Sequence, residues 1–258
     1  ELVGLTSTGP SDIENNKSRF FVKVQDGCSF SCSYCIIPKA RGASRSVAIS
    51  DVTEKVSQAS NLYSEVVLTG IHLGTYGYDL TPKVSLYDLV KCILSCTLIK
   101  RIRLSSLEIN EINDGLLSLI QGDRVCSHLH IPLQSGDDRI LRLMNRNYNV
   151  NDFLKGIDNI YKKIPDISIG TDVIAGFPGE GEREFRNTMD LLDSLPLSYI
   201  HVFPYSDRPG TKASAMPDTV SPQDKKERSS MLRGLSMAKK RAYMLRQIGK
   251  TLDAVIEE

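Results

Sequence analysis

The chain has no tryptophan among its 258 residues and almost no net charge, with 32 basic side chains against 31 acidic ones. That balance gives no overall electrostatic pull toward nucleic acid or an anionic membrane. No apolar run approaches the roughly 20 residues that a membrane-spanning helix requires, so no membrane partner is expected. An initiator methionine and the basic and apolar parts of a secretion signal are missing from ELVGLTSTGPSDIENNKSR. That opening reads as an interdomain linker over residues 1–18, which implies a piece of a longer cytoplasmic protein. Six cysteines are too few for a disulfide-built scaffold of this length.

What is present is an ordinary globular composition, 41% hydrophobic and 24% charged. Apolar, β-branched runs predict strands at Phe20–Val24, Glu65–Gly70, Arg101–Ser105, His128–Leu133, Ser168–Ala175 and Tyr199–Tyr205. Helical patterns fill Asp51–Leu62, Leu86–Cys96, Asp114–Ile120, Asp137–Met144, Val150–Lys163 and Glu182–Ser194. The alternation implies an α/β fold with parallel strands joined by helical crossovers, either an open sheet or an incomplete barrel. Ser206–Pro222 is rich in Pro, Ser, Thr and Gly and reads as a domain-edge loop. A helix is expected over Gln223–Gln247, then a strand-like piece over Thr251–Glu257, either a frayed end or the first strand of another domain.

Three of the six cysteines, Cys28, Cys32 and Cys35, fall within eight residues just after the first strand. Such a crowd of soft thiolates suits zinc, an iron–sulfur cluster or a disulfide. Structural zinc wants four protein ligands, and no Cys or His follows for 30 residues, His72 being the nearest candidate. A disulfide would strand an odd thiol. Three ligands suit a four-iron cube with one iron left open to a small molecule.

The CxxxCxxC spacing with Tyr34 before the third cysteine resembles the radical S-adenosylmethionine (SAM) superfamily. Longer segments occur in order: FVKVQDGCSFSCSYCIIPKARG, VVLTGIHLGTYGYD, RIRLSSLE, HLHIPLQSGDDRILRLMNRNY, GTDVIAGFPGE and HVFPYSDRPGTKA. Together they resemble the methylthiotransferase family across residues 19–215. The resemblance implies an incomplete (β/α)6 radical SAM barrel with a C-terminal helix, a connecting segment over 216–247, and the start of a TRAM domain over 248–258. It implies a [4Fe-4S] cluster on Cys28, Cys32 and Cys35 whose open iron takes the amino and carboxylate groups of SAM. Reductive cleavage of SAM then gives methionine and a 5′-deoxyadenosyl radical, with electrons from a donor such as flavodoxin or ferredoxin.

By position on the same plan, SAM or substrate contacts are expected from Thr69 and Gly70 after the second strand, Ser105, Ser106 and Glu108 after the third, and Gln134 and Ser135 after the fourth. Asp172 within the fifth strand is a further candidate, since a carboxylate there is costly without a partner such as an arginine. Arg142 and Arg146 are candidates for SAM carboxylate or RNA phosphate. Gly176, Pro178 and Gly179 correspond to a turn near the adenine of SAM. Lys39 departs from the family pattern, which has an aromatic residue there.

The family also uses a second [4Fe-4S] cluster, held by an N-terminal domain. Cys92, Cys96 and Cys126 are expected to pack in the core rather than replace it. His72, His128, His130 and His201 are expected to be packed or hydrogen-bonded rather than catalytic. GIHLGTYGYD, RIRLSSLE and HLHIPLQSG most resemble the subgroup that modifies threonylcarbamoyladenosine in tRNA; others modify isopentenyladenosine or a ribosomal protein. Lys225–Lys250 carries nine basic residues against Glu227, a stretch suited to a phosphate backbone or simply to water. An iron–sulfur module without catalysis and a zinc-stabilised RNA-binding module are the competing classes.

Overall fold

Alternation along the strands sorts the chain into an apolar jacket and a polar lumen. A computed structural model describes residues 18–256. Its elements are β1 Phe20–Asp26, α1 Ile37–Arg41, β2 Arg45–Ser46, α2 Ile49–Ala59, β3 Glu65–Gly70, α3 Leu86–Cys96, β4 Arg101–Leu104, α4 Asp114–Ile120, β5 His128–His130, α5 Asp138–Leu143, α6 Val150–Lys163, β6 Ser168–Ala175, α7 Glu182–Ser194, β7 Tyr199–Pro204 and α8 Pro222–Leu245. The proposed linker lies outside the described residues apart from Ser18.

One sheet has the order β2-β1-β3-β4 and another β5-β6-β7. A parallel bridge between Ile102 and Val125 joins them, with Ile102 N donating to Arg124 O at 2.8 Å and Cys126 N to Ile102 O at 2.9 Å. Six strands therefore run parallel in the order β1-β3-β4-β5-β6-β7, and no pairing closes β7 onto β1 among the described residues. This is the incomplete six-stranded barrel; β2 is an added antiparallel edge on the last two residues of β1.

Val22, Val24, Val66, Leu68, Ile102, Leu104, Ile169 and Val173 face outward onto the helices. Burial of each such side chain stabilises by about 1.5–3 kcal/mol. The helices answer with their own stripes, as α6 does with Phe153, Ile157 and Ile160 at spacings of four and three. Capping boxes start α3 (Ser85 with Asp88) and α6 (Asn149 with Asp152), satisfying backbone donors that would otherwise be left over.

Alternate residues turn inward: Gln25, Thr69, Arg101, Arg103, His128, His130, Asp172, Tyr199 and His201. At the N-terminal end of the strands Glu65 is 1% exposed and takes Arg103 at 2.8 Å, Arg101 at 2.9 Å and Arg19 at 3.4 Å. Burial opposes its ionisation, but the three guanidinium groups hold its carboxyl below the usual range.

Several expected boundaries move for physical reasons. β5 ends at His130 rather than Leu133, because Pro132 has no N–H and Leu133 N is taken by the Thr171 hydroxyl at 3.0 Å. β4 ends at Leu104 and β7 at Pro204, each one residue short of expectation. Asp137 lies outside α5 as its N-cap, accepting from Arg139 N and Ile140 N. The strand-like piece Thr251–Glu257 is corrected: residues 251–256 carry no regular structure, and Glu257 lies outside the described residues.

Candidate active site

Gly27 ends β1 at φ +71°, and a Cβ there would lie 2.1 Å from Ala43 O, so no other residue fits this turn. From it springs the loop that carries the three cysteines, all free thiols. Its frame is made of local hydrogen bonds. Cys28 N donates to Gly42 O at 3.0 Å, Cys35 N to Cys32 O at 3.1 Å, and Ser33 N to Met144 O at 3.0 Å. Gln25, 1% exposed, donates through Nε2 to Gly27 O and Ser44 Oγ, both at 2.8 Å, and accepts from His72 N at 2.8 Å. A single buried amide thus ties β1, the cysteine loop and the β3 loop together.

Two basic groups flank the thiols. His72 places Nδ1 3.6 Å from Cys28 Sγ and Nε2 against Glu111, and Phe30 packs on its ring. Burial lowers the basicity of that imidazole, but Cys28 and Glu111 outweigh it and push its pKa up to about 9. Burial raises the Cys28 thiol as well, but the His72 hydrogen bond, the Phe30 backbone N–H and the charge of His72 together more than offset this, leaving it below its ordinary value. Cys35 goes the other way, raised by burial and by the charges of Cys32 and Cys28.

On the far side of the loop the Arg146 side chain is 6% exposed. Its guanidinium donates to Cys32 Sγ and Tyr34 OH at 3.3 Å each, to Tyr148 OH at 3.2 Å and to Glu108. Four of its five N–H groups are therefore committed within the protein. A cavity of about 110 Å³ lies against this group, lined by Phe30, Cys32, Glu108, Glu111, Arg146 and Tyr148.

The remaining predicted residues fall on the same rim with different commitments. Ser105 Oγ is buried with no hydrogen-bond partner among the described residues. The Thr69 hydroxyl bonds Val22 O at 3.3 Å, and Gly70 gives way to the Gln25 side chain, 2.9 Å from where a Cβ would stand. Gln134 adopts φ +66° while its backbone still bridges β6, a strain of the kind found at functional sites. Asp172 has no arginine partner; His130 Nε2 lies 2.8 Å and His201 Nδ1 3.3 Å from its Oδ1. Lys39 reaches across to Gly210 O, so its departure from the family pattern serves as a strap. Sequence reasoning missed the roles of Gln25 and of the neighbours of His72, although Gln25, Cys28 and Phe30 all lie in the FVKVQDGCSFSCSYC segment.

The other cysteines divide. Cys126 is buried, 3.6 Å from both Glu65 and Arg101. Cys92 and Cys96 depart from the expected core packing: Cys96 is exposed, and their sulfurs stand 3.7 Å apart on α3.

The donor set fits a cluster better than a lone ion. The three loop sulfurs do not converge within 4.8 Å of one another, the closeness of ligands around one small ion, although His72 Nδ1 lies 3.6 Å from Cys28 Sγ. A larger iron–sulfur cube suits three separated soft donors with His72 and Arg146 offsetting their charge. Ser105 Oγ supplies an unsatisfied polar atom at the rim.

Residues 22–192 match the family model described as the Radical SAM superfamily. The chain is 42% identical to the threonylcarbamoyladenosine tRNA methylthiotransferase MtaB of Aquifex aeolicus, over 93% of this chain and 58% of that protein. It is 40% identical to the protein of that name from Rickettsia prowazekii, over 94% and 58%. It thus spans little more than half the length of these curated relatives. Among solved structures, the radical SAM methyltransferase TsrM of Kitasatospora setae matches with a TM-score of 0.63 at 13% identity, over 76% of this chain and 38% of that one, a likeness of fold.

Proposed function

The chain belongs to the radical SAM superfamily, and from that premise we propose that it is the radical-generating part of a methylthiotransferase acting on N6-threonylcarbamoyladenosine in tRNA. The observation that carries this reading is the set of three free cysteines on one braced loop at the C-terminal end of the first parallel strand. In barrels of this kind that end builds the active face. The relatives that share 40–42% of its residues over nearly the whole chain support the substrate class.

Cys28, Cys32 and Cys35 would hold a [4Fe-4S] cluster, which supplies the electron for reductive cleavage of SAM. The chain's own residues do the positioning. Gly27 and Gln25 set the loop, Arg146 anchors Cys32 to Glu108 and Tyr148, and His72 donates to Cys28. Thr69, Gly70, Ser105, Glu108 and Gln134 form the rim on which SAM would rest. Arg146 bears on the cluster side of that rim, with one N–H left for the methionyl carboxylate. Full methylthiolation needs a second cluster, and the remaining cysteines are dispersed among the described residues, with Cys126 buried against Glu65 and Arg101 and the Cys92–Cys96 pair on α3. We place that cluster outside residues 18–256. No helix among the described residues is long and apolar enough to cross a membrane. The partners we propose are tRNA and a flavodoxin- or ferredoxin-like electron donor. The basic face of α8 is the part suited to the phosphate backbone.

Mass spectrometry of nucleosides, from tRNA of cells lacking every tRNA methylthiotransferase and given the full protein, tests the proposal. A methylthio derivative of threonylcarbamoyladenosine is expected, and it should vanish with Cys32→Ala. The corresponding derivative of isopentenyladenosine would overturn the substrate, and persistence with Cys32→Ala would overturn the ligand assignment.

A further inference from the structure

The inner faces of β5, β6 and β7 hold a polar cluster that the cysteine loop does not use. Tyr199 OH lies 2.9 Å from His128 Nε2 and 3.1 Å from His130 Nδ1. His130 Nε2 lies 2.8 Å from Asp172 Oδ1, and His201 Nδ1 approaches the same oxygen at 3.3 Å. The rings form a column in which His128 and His130 stack on Tyr199 at 6.1 and 5.8 Å and His201 lies tilted 5.0 Å from both Tyr199 and His130.

The hydrogens in this column can be assigned by asking which arrangement leaves no buried donor stranded. His128 Nδ1 is buried without a partner among the described residues. A hydrogen there would be an orphan donor. Placed on Nε2 instead, it is donated to the Tyr199 oxygen; Tyr199 then donates to His130 Nδ1, and His130 Nε2–H to Asp172. Every donor is satisfied and the bonds polarise one another toward the carboxylate. Burial also pulls the pKa of His128 down to about 4, in keeping with a neutral ring.

This direction has two consequences. His130, Asp172 and His201 have the spacing of a metal site, their ligand atoms lying within 4.8 Å of one another. A metal would need the lone pair of His130 Nε2, which would reverse the chain and strand a hydrogen on His128. A permanent ion is therefore disfavoured. Second, Asp172 Oδ2 and His201 Nε2 are left without a partner among the described residues, on side chains 20% and 56% exposed. Phe203, next on the same inner face of β7, is 51% exposed. Asp172 stands three residues, about 10 Å at strand spacing, below the C-terminal end of β6. Its carbonyl nevertheless accepts from Gln134 N at 2.8 Å, so it borders the rim at Gln134, and its separation is from the cysteine loop on β1, four strands away in the sheet order.

A carboxylate acceptor beside exposed aromatic faces is suited to a flat heterocycle with an exocyclic N–H: the ring stacks and the N–H is accepted. We propose that Asp172 and His201 recognise the substrate base, Asp172 Oδ2 accepting its exocyclic N–H and the His201–Phe203 face taking its ring. This deepens the functional reading above and rests on it for the identity of the base. It also revises the expectation of a SAM contact for Asp172.

SAM carries an adenine too, so the test must separate the two. Anaerobic equilibrium dialysis of the cluster-loaded full protein, with SAM and with N6-threonylcarbamoyladenosine as probes, does so. Asp172→Asn and His201→Ala should each weaken the nucleoside tenfold or more and leave SAM affinity within twofold. Weaker SAM binding with unchanged nucleoside binding would overturn the proposal, as would no change in either. So would an equivalent of non-iron divalent metal lost in the variants. His201 is over half exposed, so His201→Ala remains informative even if Asp172→Asn folds poorly. If the unaltered protein binds adenosine but not the acylated nucleoside, the substrate reading fails separately; loss of adenosine binding in the variants would still uphold the site, and its retention would sink it.

Discussion

Arg146 is the side chain on which the cysteine loop should depend most, and Arg146→Ala tests this directly. The substitution removes the partner of Glu108 and the donors to Cys32, Tyr34 and Tyr148 in one step. Removing one member of a buried ion pair typically costs about 3–5 kcal/mol, because the other member stays behind unpaired. Glu108 is 22% exposed and can recover some hydration, which favours the lower end, about 3 kcal/mol. For a domain of this size each kcal/mol moves the unfolding midpoint by about 2–4 °C, so a fall of about 6–12 °C is expected. Arg146→Lys keeps the charge but cannot reproduce a fork that serves four acceptors, so an intermediate loss should follow. Thermal unfolding of the metal-free protein gives the stability change, and iron per chain after anaerobic reconstitution reports on the loop. If Arg146→Ala costs less than about 1 kcal/mol and iron loading is unchanged, the anchoring argument fails. Loss of SAM affinity alone would leave Arg146 only its contact with the SAM carboxylate.

Gly27→Ala combines a left-handed backbone, worth about 1–2 kcal/mol against a residue with a Cβ, with a contact at 2.1 Å from Ala43 O. Iron content should drop more steeply than global stability, and equal iron in variant and parent would contradict the turn argument. Glu65→Gln leaves three guanidinium groups facing one another and should cost about 3 kcal/mol or more in urea unfolding, partly restored by a second change, Arg103→Gln. In acid, His128 contributes with a definite sign. Its folded pKa of about 4 lies below its ordinary 6.5, so the unfolded chain binds more protons between those values and stability falls as pH drops through that window. The full contribution is about 3 kcal/mol, and His128→Gln should flatten that part of the stability–pH curve.

The fold was readable because most strands carry β-branched residues and the crossover helices an apolar stripe, β5 (HLH) and β2 (RS) being the exceptions among the strands. β3 and β6, with EVVLTG and SIGTDVIA, were placed at their observed ends. β2 escaped because two residues have no period, and α1 because five residues, opened by Pro38, bury nothing. The crowding of three cysteines on one loop is visible in their spacing. What surrounds them was not. The reach of Arg146 from beyond α5 to Cys32 spans 114 positions, and the Gln25 contact to His72 spans 47. The histidines of HLH were read as packed or bonded, which they are; that they converge on Asp172 depends on the register of β5, β6 and β7, which no local pattern reveals.

The gap between β7 and β1 leaves β7 as an edge strand, and free edges invite another chain to add to the sheet. Tyr205 N bonds Ala175 O, so by alternation Ile200, Val202 and Pro204 present their backbone groups to the gap. Two of those three positions are closed to an incoming strand. The Ser236 hydroxyl of α8 accepts from Ile200 N at 2.9 Å and donates to Ile200 O at 2.8 Å, standing in for a neighbouring strand. Pro204 has no N–H to offer. The barrel can therefore stay open without becoming a template for self-association, and Ser236→Ala is the substitution that should make it sticky.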